Sequence, residues 1–120
     1  MQISPEKMEV YRRNAWERSR KRQKELDLRR ERSLVLARKA AEILKEEFGA
    51  TRVVLYGSLL KPSLFHLRSD VDLAVWNVQH YFKAVARLLD LDPEIEVNLA
   101  PFEDLRPELQ LVINNEGVEL

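Results

Sequence analysis

The chain has 120 residues, 20 Lys and Arg against 20 Asp and Glu, 45% apolar residues, and only 3 Gly and 5 Pro, which fits one globular domain with an appendage and excludes a disordered or loop-rich scaffold. With no cysteine, disulfides, thiolate chemistry and Cys-based zinc sites are excluded. No apolar run reaches the length of a membrane span, and the start MQISPEKMEVYRRN lacks the apolar core of a secretion signal, so the expected location is the cytoplasm.

The neutral total hides a polarised chain: residues 1–48 hold 14 Lys and Arg against 9 Asp and Glu, and residues 49–120 hold 6 against 11. An acidic body suits a cation site, while a basic arm suits nucleic acid, an acidic partner or water. Ser4 is placed to cap a helix with Pro5 at its first position and Glu6 in its first turn. From Pro5 to Arg32 no Gly and no further Pro interrupts a run of helix formers. Apolar residues are sparse there, chiefly Met8, Val10, Tyr11, Ala15, Trp16, Leu26 and Leu28, so this arm, residues 1–32, cannot bury itself. Leu36, Ala40, Ile43, Leu44 and Phe48 then recur at helical spacing and would face a core, with Gly49 as a left-handed cap. Ser33 is a weak break and leaves open whether the two stretches are one helix, which would be about 66 Å long at about 1.5 Å per residue.

The body, residues 33–120, alternates. A strand over 51–57 leads through a loop with Lys61, Pro62, His66 and Arg68 to a strand over 70–76. A helix follows from about Val78 to Leu89, with Val78, Tyr81, Phe82, Val85, Leu88 and Leu89 on one stripe. In a third strand, Glu94 to Ala100, Ile95, Val97 and Leu99 face one way and Glu94, Glu96 and Asn98 the other. Pro107 opens a last helix whose Leu109, Val112 and Ile113 would pack inward, and Gly117 ends it before Val118 to Leu120. The expected class is α/β (α+β): a small mixed sheet packed with helices, preceded by a long helical arm.

The string LYGSLLKPSLFHLRSDVDLAVW carries the chemistry. Asp70 and Asp72, two apart on a strand, share a face about 7 Å apart, which suits hard cations of the Mg²⁺ type. Asp is depleted in strands, so two of them beside Val71 and Leu73 want a reason. A small Gly57-Ser58 turn at the end of the preceding strand lets backbone N–H groups approach a phosphate. Together they read as a metal-and-triphosphate site; the alternative is a Gly turn followed by two solvated Asp residues.

From about Leu34 to Leu120 the chain resembles the minimal nucleotidyltransferases of the DNA polymerase beta superfamily. The shared features are Gly57 and Ser58, then Ser69, Asp70, Asp72 and Leu73, and an ending like Asn115 to Leu120. The spacer here has eleven residues, one more than usual. The resemblance implies Mg²⁺, two ions in all, on Asp70 and Asp72, and a nucleoside triphosphate held at Gly57, Ser58 and Ser69, with Lys61 and Arg68 available to neutralise it. It also implies a third carboxylate in the third strand, and here the sequence departs: the aligned position is Asn98, which can offer a carbonyl oxygen but cannot act as a base. Glu96, two residues earlier on the same face, is the candidate replacement; otherwise the site is degraded.

Three readings follow. The resemblance implies a nucleotidyltransferase that is the antitoxin of a two-gene module, moving AMP from ATP to a tyrosine of a HEPN-type ribonuclease toxin in a hetero-oligomer. A catalytically impaired antitoxin that acts by binding alone is the second. A nucleic-acid-binding or nucleic-acid-modifying protein using Arg18, Arg20, Lys21, Arg22 and Lys24 is the third, disfavoured because acidic residues interrupt the patch. His66 and His80 have no companions at ligand spacing, and Trp76 reads as core or rim.

Overall fold

The computed structural model describes residues 4–120; the first three residues of the predicted arm lie outside it. Ser4 caps helix α1, its Oγ accepting the Lys7 N–H at 3.3 Å, with Pro5 in the first turn as expected. Helix α1 runs unbroken from Pro5 to Phe48, 44 residues, and ends at Gly49 in the left-handed conformation. Ser33 does not interrupt it: the residue is buried inside the helix, where packing against the body outweighs its weak helix preference. The molecule accordingly extends 65 Å along its longest axis.

After α1 come β1 (Arg52–Tyr56), a 3-10 turn (Ser58–Leu60), β2 (Val71–Trp76), α2 (Tyr81–Leu89), β3 (Val97–Pro101), a second 3-10 turn (Phe102–Asp104), α3 (Pro107–Glu116) and β4 (Val118–Glu119). The sheet order is β3-β2-β1-β4, with β2 and β3 parallel and the other pairs antiparallel. This is the expected mixed α+β architecture. Alternation along the strands gives the sheet two unlike faces. Val53, Leu55, Leu73, Val75, Val97 and Leu99 pack on one side with Leu36, Ala40 and Leu44 of α1 and Ala84 and Leu88 of α2. On the other side Val54 and Ala74 meet Ile113 of α3, with Tyr56, Trp76, Phe102, Leu105 and Leu109 around them. Only part of that second face is covered, and the uncovered part carries the polar residues of β2 and β3.

Several boundaries and faces differ from the sequence reading. Helix α2 starts at Tyr81 rather than Val78, because Asn77 and His80 take positive φ, 62° and 52°, which breaks helical continuation. Of its predicted stripe, Phe82 is 85% exposed and Leu89 is also exposed, whereas Ala84, absent from the stripe, is buried. Strand β3 starts at Val97 rather than Glu94, since the N–H groups of Glu94 and Ile95 are taken by the Asp92 carboxylate at 2.8 and 3.1 Å and do not enter the ladder. Val112 does not pack inward and is 39% exposed. Gly117 is required for space: it is extended, and an added Cβ would press into Val54 Cγ1 and lie 2.5 Å from the Ile113 carbonyl oxygen.

Three arginines fix the base of the arm to the loops of the body. Arg29 Nη2 donates to the Ser69 carbonyl at 3.0 Å, and Arg30 Nε donates to the Leu59 carbonyl at 3.3 Å. Arg32 makes a bidentate bond to Asp92 at 2.8 Å and reaches Glu94 at 3.0 Å. Burial pushes the Asp92 carboxyl up, but the backbone N–H groups and the Arg32 guanidinium outweigh it and hold the group below the usual range.

Candidate active site

Strand β1 ends at Tyr56, and the chain turns at Gly57 with φ 90° and ψ −159°, a region open essentially to glycine alone. The turn brings the Gly57 backbone against β2: an added Cβ would stand 2.5 Å from Asp72 Oδ2. Close approach of backbone to carboxylate is thus the reason for the glycine. Ser58 begins the 3-10 turn, whose Leu60 and Lys61 N–H groups return to the Gly57 and Ser58 carbonyls at 3.1 and 3.0 Å. The leading N–H groups of such a turn have no partner within it and are available to an anion beside the carboxylates.

Asp72 lies in β2 opposite Tyr56 of β1 and opposite Asn98 of β3. Asp70 sits one residue before β2, on the same face by the two-residue period. Asn98 Nδ2 donates to Asp72 Oδ1 at 3.1 Å and to Asp70 Oδ2 at 3.3 Å, so one amide joins both carboxylates. Burial raises the Asp72 carboxyl above its usual range, the Asn98 bond lowers it, and the Asp70 charge raises it again, with a net upward shift. Tyr56 is raised too, by burial and then by Asp72. Among the described residues, neither Asp70 nor Asp72 is in a salt bridge.

Two hollows open in this region, one at the Gly57 turn and one at Asp70. One of about 450 Å³ is lined by Tyr56, Gly57, Ser58, Lys61, Val112 and Glu116 among others. The other, about 350 Å³, is lined by Arg29, Arg68, Asp70, Asp92, Glu94 and Glu96 with apolar neighbours. Lys61, expected near a triphosphate, is on the wall of the first and pairs with Glu116 at 3.2 Å. Arg68 is exposed at the second, its own N–H donating to His66 Nδ1 at 3.1 Å. Ser69 is buried: its hydroxyl accepts the His66 N–H at 2.9 Å and its carbonyl accepts Arg29, so it pins the loop rather than facing an open hollow.

The expected third carboxylate is placed differently from Asp70 and Asp72. Glu96 is exposed just before β3, its backbone carbonyl accepting the Val71 N–H at 2.9 Å, and it lines the second hollow together with Asp70. Among the described residues no three of His, Cys, Asp and Glu come together to hold a metal ion. The residue that completes the pair is Asn98. Its distance to both Asp side chains follows from the β2–β3 register, which no spacing along the chain announces. Tyr56 was also missed as a site residue, although its place before Gly57 on the β1 face shared with Val54 was a usable signal. Arg29 and Arg30 gave no signal, because their partners lie 40 and 29 residues away.

The family model of the nucleotidyltransferase domain matches residues 37–119, more than half of the chain and nearly all of the body. The chain belongs to the nucleotidyltransferase domain family. A search of curated proteins finds no match. The matched stretch of this nucleotidyltransferase domain contains the Gly57 turn, both aspartates and Asn98, and it begins inside α1, so the exposed arm lies outside it. Among the described residues no helix is long and apolar enough to cross a membrane.

The donor set fits the divalent cation that such a domain uses. Two carboxylates on one face, with no cationic side chain paired to them and only a neutral amide between them, leave negative charge uncompensated in a partly buried place. Asn98 adds a carbonyl oxygen, also a hard ligand, once its side chain is turned.

Proposed function

We propose that this nucleotidyltransferase domain is the antitoxin of a two-gene module and transfers AMP from ATP to a tyrosine hydroxyl of a HEPN-type ribonuclease toxin, releasing pyrophosphate. The observation that carries the transfer reading is the packing of the Gly57 turn onto Asp72, which sets phosphate-binding amides beside a carboxylate pair. The hollow beside Gly57 and Ser58 would take the nucleotide, with Lys61 at its wall. The hollow beside Asp70 would take the acceptor, with Glu96 and Arg68 at its wall.

In the proposed step the acceptor oxygen bonds to the α-phosphorus, the bond to the β-phosphate oxygen breaks, and pyrophosphate leaves with the electron pair. Asp70, which lines the proposed acceptor hollow, would take the hydroxyl proton. Bound by Asp70 and Asp72, Mg²⁺ would neutralise the triphosphate and make the hydroxyl more acidic. Ser58 and the turn amides orient the phosphates.

An acceptor carried by a partner protein needs a docking surface on this chain. The described part of the arm, residues 4–32, would supply that surface: Tyr11 and Trp16 are 68% and 60% exposed, with Met8 and Val10 beside them, and Arg20 stacks on Trp16 at 4.9 Å. Nucleic acid is a poorer occupant, since Glu17, Glu25, Asp27 and Glu31 interrupt the basic run and Arg29, Arg30 and Arg32, which would extend it, are engaged by the body. Incubation with labelled ATP, Mg²⁺ and the protein encoded by the neighbouring gene tests the reading. Label on a partner tyrosine, lost with Asp70→Asn, is the expected result. A stable, inhibitory complex without label would instead favour neutralisation by binding alone, the reading that Asn98 in place of a third carboxylate supports.

A further inference from the structure

An amide within 3.1 and 3.3 Å of two carboxylate oxygens must present its nitrogen, because its oxygen would set acceptor against acceptor. Both N–H groups of Asn98 are thereby spent, one on Asp72 and one on Asp70. Two consequences follow. The amide bridges two like charges, and it directs its own carbonyl oxygen, the only atom with which it can bind a metal, away from the pair. A cation entering the pair has to break both bonds before Asn98 becomes a ligand. The charge count bears on a second ion: two carboxylates balance one divalent ion, so a second needs negative charge from elsewhere.

We infer that Asn98 is a neutral latch, which keeps Asp70 and Asp72 assembled in the metal-free protein and makes cation loading depend on the polyphosphate that arrives with the ion. The ligand class selected is the divalent ion complexed to a nucleoside triphosphate, in preference to the free ion. This inference rests on the nucleotidyltransferase reading of the site, though not on the identity of the acceptor. It assigns Asn98 a positioning role that an Asp at the same register could not fill, since a third carboxylate repels the pair when no ion is present.

The test is melting of the full chain in EDTA, with Mn²⁺ alone, and with Mn²⁺ plus a non-hydrolysable ATP analogue, alongside direct Mn²⁺ titration. Wild type is expected to bind Mn²⁺ alone weakly and to be stabilised chiefly by the ion and analogue together. Asn98→Asp is expected to bind Mn²⁺ alone at least about tenfold tighter and to melt about 3 °C or more lower in EDTA. Asn98→Ala, which removes the latch without adding charge, is expected to melt lower in EDTA as well, and it decides the matter if the Asp variant does not fold. Equal Mn²⁺ affinity in wild type and Asn98→Asp, or an unchanged melting temperature of Asn98→Ala in EDTA, overturns the inference. Absence of label transfer with these shifts intact faults the acceptor reading and leaves the latch standing.

Discussion

Gly57 and Asp72 are packed so closely that a Cβ on the first would lie 2.5 Å from Oδ2 of the second. This contact joins the two halves of the motif, the turn after β1 and the carboxylate of β2, which are neighbours through antiparallel pairing. Gly57→Ala is expected to lose about 1–3 kcal/mol of stability from the φ 90° backbone alone. The clash with Asp72 would also suppress nucleotide transfer. Urea unfolding and the labelling assay check the two effects separately; a variant of wild-type stability and activity would remove the contact from the argument.

Asp72 carries a second prediction, in pH. Its folded pKa is raised, so the ionised form is less favourable folded than unfolded, and the penalty is present above the folded pKa and relieved as pH falls through it. Asp72→Asn should therefore raise the melting temperature near neutral pH and converge with wild type in acid. Asp92 has the opposite sign: its pKa is lowered, so its stabilisation is present above the unfolded value and is lost as pH falls through the folded one. Melting curves from pH 3 to 7 for both single Asn variants would show opposite slopes.

The carboxylates can be ranked by activity. Asp70→Asn is expected to lower label transfer by at least about a hundredfold with little change in stability, because the side chain serves the site rather than the core. Glu96→Gln, at the wall of the proposed acceptor hollow and, among the described residues, outside any metal-holding carboxylate group, is expected to lower it by less than about tenfold. Equal losses would make Glu96 the third carboxylate after all.

Gly117→Ala should destabilise by about 1–3 kcal/mol, since the new methyl group meets Val54 and the Ile113 carbonyl, both fixed by packing. Guanidinium unfolding measures it. A neutral result would mean that β4 shifts away from β1 at little cost.

On the arm, the double variant Tyr11→Ala with Trp16→Ala should change the urea midpoint by no more than about 0.5 kcal/mol, both side chains being exposed. The same variant should weaken capture of the proposed partner protein, read by calorimetry. Unchanged affinity would free the arm from the proposed role.

The sequence by itself determined the elements and the polarity of their faces. Period-two alternation placed Ile95, Val97 and Leu99 inward and Asn98 outward, and helical spacing placed Leu36, Ala40 and Leu44 in the core, because these patterns depend only on local geometry. The Gly57-Ser58 and Asp70-x-Asp72 pairs were equally readable, their spacing being a short-range property. The tertiary structure alone showed that Asn98 Nδ2 bonds both carboxylates of the pair, since the parallel register of β2 on β3 is set across an intervening helix. It alone decided that α1 passes through Ser33 unbroken and that Arg29, Arg30 and Arg32 hold the loops around the site. A sequence window records which residues are three or four apart, whereas those bonds join residues 29 to 62 positions apart, brought together only by burial of one sheet face against a helix.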